Sequence, residues 1–308
     1  YALQHRGQES CGIVVNDKGV LSHHKDLGLV PEVFTQEKLD KLGTGNIAIG
    51  HVRYSTTGKP NRSNAQPIVV RHVKGPMSIA HNGNLVNAHK LREKYEMRGA
   101  IFHTTNDTEV IAYAITEQRV MSPKKLIAAR DPQGFRPLCM GRCKDGAVVF
   151  ASETCALDSV GATFEREVEP GEIVVVDGDD IHSIRTYCGQ KQSFCVFEYI
   201  YFARPDSMID HYYVHDARVN AGKILWREHP VEADVVIGVP DSGLDAAIGF
   251  SEASGIPYNL GFMKNRYIGR TFIQPTQSQR TNSVRIKLNV VKSVVAGKRV
   301  VLIDDSIV

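Results

Sequence analysis

The sequence predicts two successive domains of different fold class. Over about residues 1–190, short apolar strand-like runs are broken by Gly, Asn and Pro turns and interrupted by helical stretches, which predicts a layered α+β domain. From residue 191 to residue 308, apolar strands alternate with helices, which predicts an α/β domain with a mostly parallel sheet. A polar stretch at residues 187–193 is the predicted linker.

The elements of the first domain follow from local patterns. Apolar runs bounded by turn residues predict strands at residues 47–52, 147–152 and 171–177. Longer stretches without Pro predict helices near residues 84–98 and 108–117. We expect these strands and helices to pack as layers around one core.

The second domain contains two apolar strands, and the later one ends in adjacent acids. Residues 235–239 predict a strand followed by a helix over about 242–253, and a second apolar run reaches Asp304 and Asp305. Ligands of open α/β sheets bind beyond the carboxyl ends of the strands, where two acids suit sugar hydroxyls or a hard cation such as Mg²⁺. The alternative interpretation is a solvated strand end that leads into a turn.

Composition limits the classes to which this chain can belong. Hydrophobic residues make up 42% and charged residues 23%, as is usual for globular proteins, and the net charge of +3 gives no argument for nucleic acid or a membrane as partner. No apolar run approaches the about 18 residues of a membrane span. Six scattered cysteines do not form a secreted disulfide framework, so we expect a cytoplasmic protein. Because the chain begins at Tyr1 and stops just after its acidic strand end, we expect a fragment of a longer protein.

Four polar clusters in the first domain contain its candidate site residues. They lie at residues 4–10, 51–58, 81–84 and 104–109. Together they supply a guanidinium, a carboxylate and oxyanion donors. These are the groups that a protein needs in order to bind and hydrolyse a free amino acid with an amide side chain. Arginine binds a carboxylate bidentately, and a side-chain amide with a backbone N–H can stabilise a tetrahedral oxyanion.

Each cluster also has a purely structural interpretation. Asn82-Gly83 is the typical dipeptide of a tight hairpin turn. One residue of 105–107 could be a helix cap, and Arg53 could form a surface ion pair that contributes little.

In this order, the four clusters resemble the glutaminase domain of class II glutamine amidotransferases, which are N-terminal-nucleophile hydrolases with an αββα fold. The resemblance implies that Arg53 and Asp107 bind the carboxylate and the amino group of glutamine, with help from Thr56. It also implies that Asn82 and the N–H of Gly83 form the oxyanion hole.

The nucleophile that this resemblance implies is a cysteine at the mature N-terminus, with its own α-amino group as base. Tyr1 is no substitute, and Cys11 lies in an apolar run where we expect a small buried hydrophobe. We therefore expect no glutamine hydrolysis by this chain without that cysteine. Arg6 belongs to a Gln-His-Arg-Gly-Gln segment that packs around the active site in the family, and we group it with the glutamine-binding residues.

Two further segments extend the resemblance to the second domain. Residues 233–243 predict a strand, a tight turn and a helix start, whose backbone N–H groups suit a pyrophosphate. Residues 261–289 hold six basic residues and no acid, which favours a mobile loop that closes over phosphates; a solvated basic face is the alternative. With the acidic strand end, these segments resemble the type I phosphoribosyltransferases.

The second resemblance implies a binding site for 5-phosphoribosyl-1-pyrophosphate (PRPP). Asp304 and Asp305 would hold the ribose hydroxyls and the associated Mg²⁺, and Ser242 would belong to the same metal site. The basic residues expected to contact phosphate are Lys264, Arg266, Arg270 and Lys287.

The two families in one chain imply a single reaction. Ammonia from glutamine would displace pyrophosphate from PRPP, giving 5-phosphoribosylamine and glutamate, the first committed step of de novo purine biosynthesis. Purine nucleotides would be feedback inhibitors, and the assembly would be a homotetramer or homodimer. The alternatives are a catalytically silent or regulatory PRPP-binding homologue, a different glutaminase enzyme that shares only the first half, or a binding protein with only the phosphoribosyltransferase fold.

Two further features are the cysteines and the connection near residues 120–125, which is shorter than in the family. Some members of the group carry a [4Fe–4S] cluster on four cysteines, and Cys195 stands where the first ligand falls, with the others expected after Val308. A buried hydrophobe is the alternative for Cys195, and we interpret Cys139 and Cys143 as structural. The family has an additional helix and strand near residues 120–125, so we expect residues to be missing there.

Overall fold

The computed structural model describes residues 1–54, 61–73, 75–117, 124–265 and 287–306. The chain divides into two compact units, Tyr1–Cys195 and Val196–Val308. The boundary between these units lies just beyond the polar stretch at residues 187–193.

The first unit begins with an antiparallel sheet in the order β2-β1-β3. Its strands are β1 (Ser10–Asp17), β2 (Val20–Leu27) and β3 (Ile47–Arg53), and the short helices α1 (Val30–Val33) and α2 (Gln36–Leu42) connect the last two. In the central strand Cys11 and Val14 are buried, and burial raises the pKa of the Cys11 thiol to about 11. The expectation that Cys11 is a small buried hydrophobe is therefore confirmed.

The remaining strands among the described residues of this unit form one hairpin and two three-stranded antiparallel sheets. The hairpin pairs β4 (Ile68–His72) with β5 (Gly75–Ile79). One sheet has the order β11-β10-β6 and the other the order β8-β7-β9. Their strands are β6 (Lys125–Ala129), β7 (Cys139–Arg142), β8 (Val148–Ala151), β9 (Thr163–Glu167), β10 (Ile173–Asp177) and β11 (Asp180–Ile184).

Three more helices lie in the described part of this unit, and apolar side chains form its core. The helices are α3 (Ala88–Glu96), α4 (Asp107–Glu117) and α5 (Thr154–Ser159). Leu157 of α5 is fully buried against Cys139 and Ala151, with Cys143 packed at the edge of this cluster. The interpretation of Cys139 and Cys143 as structural is thus confirmed.

The second unit combines helices with short strands. The helices among its described residues are a π-helical turn (Glu198–Phe202), α6 (Val214–Glu228), α7 (Gly243–Ser254) and α8 (Lys292–Val295). Its strands are β12 (Met208–Ile209), β13 (Tyr212–Tyr213), β14 (Val235–Gly238), β15 (Phe262–Lys264), β16 (Leu288–Val290) and β17 (Val300–Ile303). Strands β14 and β17 are parallel, whereas β15 and β16 are antiparallel.

Helices α6 and α7 are in direct backbone contact because both carry glycine at the crossing. A Cβ atom on Gly222 would lie 1.9 Å from the carbonyl oxygen of Ala246, and one on Gly249 would lie 1.8 Å from that of Val219. Phe250 of α7 is buried in the core of this unit, against both parallel strands. These contacts fix α7 on β14 and β17, so the turn that precedes α7 has a defined position.

The predicted elements are found with small shifts at their ends. The helix expected near residues 84–98 begins only at Ala88, because residues 80–87 form an irregular loop. The parallel pairing expected in the second unit is present between β14 and β17. Most of the predicted short join falls on residues 118–123, which lie outside the described residues. None of the helices in the described ranges is long and apolar enough to cross a membrane.

Candidate active site

Arg53 and Asp107 bring opposite charges into the interior of the first unit. Arg53 ends β3 and Asp107 begins α4, and their side chains are only about 5% exposed. Burial lowers the pKa of Arg53, whereas the carboxylates of Glu9 and Asp107 act in the opposite direction. Arg53 Nη1 lies 3.4 Å from Glu9 Oε1. The interpretation of Arg53 as half of a surface ion pair is wrong, because its guanidinium is buried.

The capping role at the start of α4 belongs to Asn106 and not to Asp107. Asn106 Oδ1 accepts hydrogen bonds from the backbone N–H of Thr108 at 3.0 Å and from its hydroxyl at 2.9 Å. Asp107 Oδ2 instead accepts the N–H of Leu85 at 2.7 Å. The carboxylate of Asp107 is therefore directed to the loop at residues 80–87, where the other predicted site residues lie.

Asn82 and Gly83 lie in that loop and not in a hairpin turn. Strand β5 ends at Ile79 and the next element is α3, so no second strand follows the dipeptide. Asn82 is exposed, and Gly83 has a φ of +145°, which L side chains rarely adopt. A backbone of this shape can present an N–H and a side-chain amide beside a substrate.

Two partly buried histidines complete this region, and sequence reasoning gave them no role. His51 Nε2 donates to the carbonyl oxygen of His81 at 3.2 Å, and burial lowers the pKa of His51 to about 4. Burial also lowers the pKa of His81, whose Nδ1 lies 3.8 Å from Asp107 Oδ2. Their positions in the sequence could have indicated a role. Each histidine lies within or just beyond an apolar strand-like run and close to a predicted site residue.

Arg6 lies at the edge of this region with its guanidinium already paired. Arg6 Nη1 donates to Glu153 Oε1 at 2.6 Å, and the side chain of Glu153 is fully buried. The structure therefore gives Arg6 a protein partner, and a direct role in glutamine binding stays a prediction. Thr56 lies outside the described residues.

In the second unit, β14 and β17 are parallel neighbours, so the loops that follow the two strands begin next to each other. Gly238 is the register partner of Ile303, so both strands end at the same edge. The hydroxyl of Ser242 donates to the carboxylate of Asp305. A Cβ atom on Gly243 would lie 2.5 Å from the carbonyl oxygen of Ile303, so only glycine allows this approach. Asp305 is thus part of a local network and not a freely solvated strand end.

The two acids at this edge share their environment. Burial raises the pKa of Asp304, the charge of Asp305 raises it further, and the backbone N–H of Asp305 opposes this at 2.8 Å from Asp304 Oδ1. Ser306 Oγ donates to Asp305 at 2.6 Å. Carboxylate and hydroxyl oxygens are the donors that Mg²⁺ prefers. Within the described ranges, no group of three or more His, Cys, Asp and Glu side chains is arranged around a metal site.

Lys264 lies at the same edge and contacts the turn before α7. Its ammonium group donates to Asp241, which immediately precedes Ser242. Sequence reasoning missed Asp241 as the partner of Lys264, because the two residues lie on different elements. The carbonyl oxygen of Lys287 accepts the N–H of Asn265 at 2.7 Å, which joins the two ends of the basic segment. Arg266 and Arg270 lie outside the described residues.

Cys195 is a buried thiol at the end of the first unit. It is 7% exposed, and Arg136 Nη1 donates to its sulfur at 3.6 Å. This environment agrees with the interpretation of a small buried side chain. A role as cluster ligand stays a prediction, because this position offers one of the four thiolates that such a cluster requires.

Comparison with known proteins finds relatives over the whole chain. A sequence profile for a glutamine amidotransferase domain matches residues 38–176. The chain is 50% identical over 331 aligned positions to the amidophosphoribosyltransferase of Bacillus subtilis (strain 168), covering 100% of this chain and 69% of that protein. It is 46% identical to the amidophosphoribosyltransferase of Archaeoglobus fulgidus, covering 100% of this chain and 72% of the relative.

Solved structures give the same result. A structure of the allosteric regulatory enzyme of purine biosynthesis matches with a TM-score of 0.91 and 50% identity, over 100% of this chain and 70% of that one. A structure of B. subtilis glutamine PRPP amidotransferase complexed with ADP and GMP matches with a TM-score of 0.90 and 49% identity, over 100% of this chain and 71% of that one.

The sequence alignment also shows a difference in length. It spans 331 positions with the B. subtilis relative, whereas this chain has 308 residues, so that relative contains residues without a counterpart here. This agrees with the expectation of missing residues.

Proposed function

The chain belongs to the amidophosphoribosyltransferases, and from this membership we propose how its residues divide the reaction between the two units. The enzyme transfers ammonia from glutamine to PRPP, releasing glutamate, pyrophosphate and 5-phosphoribosylamine, at the first step of purine biosynthesis. The observation that carries this conclusion is about 50% identity over the whole chain to named members. The comparisons give no support to a silent regulatory homologue.

In the first unit, we assign glutamine binding to the charges beside the loop at residues 80–87. Arg53 binds the α-carboxylate, because a buried guanidinium is a strong bidentate donor. Asp107 binds the α-ammonium group. Its carboxylate can accept this contact in addition to the N–H of Leu85, because a carboxylate has several acceptor lone pairs. Asn82 and the Gly83 N–H stabilise the oxyanion that forms when the amide carbonyl is attacked.

In the second unit, we assign PRPP binding to the edge where β14 and β17 end. Asp304 and Asp305 accept the ribose hydroxyls and, with Ser242, supply the oxygen ligands of Mg²⁺. A cation held by these residues would supply neutralisation of the pyrophosphate charge. The turn before α7 offers backbone N–H groups to phosphate oxygens. Lys264 adds a positive charge, and it must exchange its contact with Asp241 for one with the substrate.

Several properties of the whole enzyme remain proposals from family membership. We infer inhibition by purine nucleotides, since the structure of the B. subtilis relative contains ADP and GMP. A homotetramer or homodimer, a cytoplasmic location, and a [4Fe–4S] cluster with Cys195 as one ligand are proposed on the same basis. Iron and acid-labile sulfide analysis of the purified full-length protein tests the cluster, and a Cys195→Ser variant tests the ligand.

The two-unit assignment is tested by measuring pyrophosphate release from PRPP and Mg²⁺ by the full-length protein, with glutamine or with ammonium as donor. We expect turnover with both donors. Asp304→Asn should abolish turnover with both, whereas Arg53→Met should abolish only the glutamine reaction. Retention of full activity by either variant with glutamine would contradict the assignment of that residue.

A further inference from the structure

Glu153 is a fully buried carboxylate that the residue roles above leave unexplained. It lies between β8 and α5, and its side chain has 0% exposure. Its Oε1 accepts Arg6 Nη1 at 2.6 Å and lies 2.7 Å from His5 Nε2. A buried carboxylate is unfavourable unless it is paired. Both of these partners come from one short segment near the start of the chain.

That segment, residues 4–9, is in contact with the proposed glutamine-binding arginine. A Cβ atom on Gly7 would lie 2.5 Å from the backbone N and C atoms of Arg53, so the two backbones touch. The N–H of Glu9 donates to the carbonyl oxygen of Arg53 at 3.1 Å, and its carboxylate faces the Arg53 guanidinium at 3.4 Å. The position of Arg53 therefore depends on where residues 4–9 lie.

Gln4, the first residue of the segment, makes two further contacts. Its side-chain Oε1 accepts the N–H of Val30 at 2.7 Å, and its Nε2 donates to the carbonyl oxygen of Gly7 at 2.6 Å. Gln4 thus defines the local shape of the segment. Glu153 supplies a charged contact between the segment and a part of the unit that is distant in the chain.

We propose that Glu153 is a positioning residue for glutamine. By holding Arg6 and His5, it fixes residues 4–9 against Arg53 and so sets the guanidinium where the substrate carboxylate binds. This inference rests on the proposed role of Arg53. Glu153 is not a catalytic residue, because it acts on the site through Arg6 and His5, which are among its contacts.

The test is Glu153→Gln in the full-length enzyme, because this change keeps the shape and removes the charge. It removes the carboxylate charge that Arg6, whose side chain is 8% exposed, contacts at 2.6 Å. Displacement of a substrate-positioning group by about 1 Å can cost about 100-fold in rate. We expect kcat/KM for glutamine to fall at least about tenfold, mainly through KM, while ammonium-dependent turnover stays within about twofold of the unmodified enzyme.

Glu172→Gln is the matched control. Glu172 is also fully buried in the same unit and is paired with an arginine, Arg166, through bonds of 2.8 and 3.0 Å. Its partner lies on β9, away from residues 4–9 in the chain. We expect Glu172→Gln to lower the melting temperature while leaving KM for glutamine unchanged. An equal rise of KM in both variants would overturn the inference, since it would indicate a general loss of stability.

Arg6→Lys provides a milder second variant that keeps the charge but loses the planar donor group. It should raise KM for glutamine in the same direction as Glu153→Gln, and the double variant should show no additional rise. Unchanged KM in Glu153→Gln and Arg6→Lys, with Arg53→Met inactive toward glutamine, would refute the role of Glu153 alone. Normal glutamine use by Arg53→Met would instead refute the proposed function of Arg53.

Discussion

The backbone N–H of Leu85 donates to Oδ2 of Asp107 over 2.7 Å and so joins the loop that contains Asn82 and Gly83 to the first residue of α4. The carboxylate proposed to bind the ammonium group of glutamine therefore also holds the loop proposed to stabilise the oxyanion. In the proposed site, one side chain therefore links the two ends of the substrate. Its charge and its acceptor function can be separated by mutation.

Asp107→Asn should retain the acceptor for Leu85 N–H while removing the charge. We expect KM for glutamine to rise about 10- to 100-fold because a charge-assisted contact is lost, with little change in melting temperature. Asp107→Ala should in addition lower the free energy of unfolding by about 1–3 kcal/mol, because a buried N–H loses its partner. Steady-state kinetics and thermal unfolding of both variants measure the difference. Equal stabilities of Asn and Ala variants would show that the Leu85 contact contributes nothing.

Asn82→Ala should affect chemistry more than binding. Loss of one oxyanion donor should lower kcat for the glutamine reaction about 10²- to 10³-fold, since the donor matters most in the transition state. Asn82 is exposed, so the variant should fold normally. Turnover with ammonium serves as the internal control and should be unchanged. An equal loss with both donors would mean that Asn82 does not belong to the glutaminase site.

Asp304→Asn should separate stability from function in the second unit. The pKa of Asp304 is raised by burial and by Asp305, so the ionised form is disfavoured in the folded protein at neutral pH. Without ligand, the variant should be as stable as the unmodified protein or more stable, by less than about 1 kcal/mol because solvent screens exposed charges. The unmodified protein without ligand should likewise gain stability as the pH falls toward the raised pKa.

Thermal unfolding with and without Mg²⁺ and PRPP checks this expectation. Ligands should raise the melting temperature of the unmodified protein and leave that of Asp304→Asn nearly unchanged. A ligand-dependent rise of equal size in the variant would exclude Asp304 from the binding site.

Glu172 should make stability depend on acid pH. Burial acts to raise its pKa, but hydrogen bonds from Arg166 and other donors outweigh this effect and lower the pKa from 4.5 to about 2. A lowered folded-state pKa means that the contribution is present above about pH 4.5 and is lost as the pH falls toward 2. Urea unfolding at a series of pH values should show this loss, and Glu172→Gln should reduce it.

Glu165→Gln is the control for this pH series. Glu165 pairs with Arg142 at 2.7 Å, but both side chains are more than 30% exposed, so their pair should contribute less than about 1 kcal/mol. Its removal should leave the pH dependence unchanged. A flattened curve in Glu165→Gln and an unchanged one in Glu172→Gln would contradict the assignment to Glu172.

The parts of the site that could be predicted from sequence are those carried by single segments. Asp304 and Asp305 follow an apolar run, and the end of a parallel strand is a general place for ligands, so their location needs no tertiary information. Cys11 could be predicted as buried because it stands in an apolar strand. Local patterns also located α4, although they left open which residue caps it.

The parts that could not be predicted depend on contacts between distant segments. Asn106 caps α4, and Asp107 instead accepts the N–H of Leu85. The contact of Asp107 can be predicted only when the position of the loop at residues 80–87 is known. The pair of Arg6 and Glu153 joins residues separated by 147 positions, and neither local pattern indicates the other. The resemblance to the glutaminase family grouped Arg6 with the glutamine-binding residues, and the structure shows that its guanidinium contacts a buried carboxylate.

The long separation between Arg6 and Glu153 also determines the order of events during synthesis. A ribosome adds about 5–20 residues per second, so the partner of Arg6 is made about 7–30 s after Arg6 itself. Throughout this interval the segment that supports Arg53 lacks its charged anchor. The sheet formed by β1, β2 and β3 can pair early, because all three strands lie within the first 53 residues. On the proposed roles of Arg53 and Glu153, the glutamine site is complete only after β8 and α5 are made, so we expect shorter nascent chains to carry the sheet without a competent substrate site.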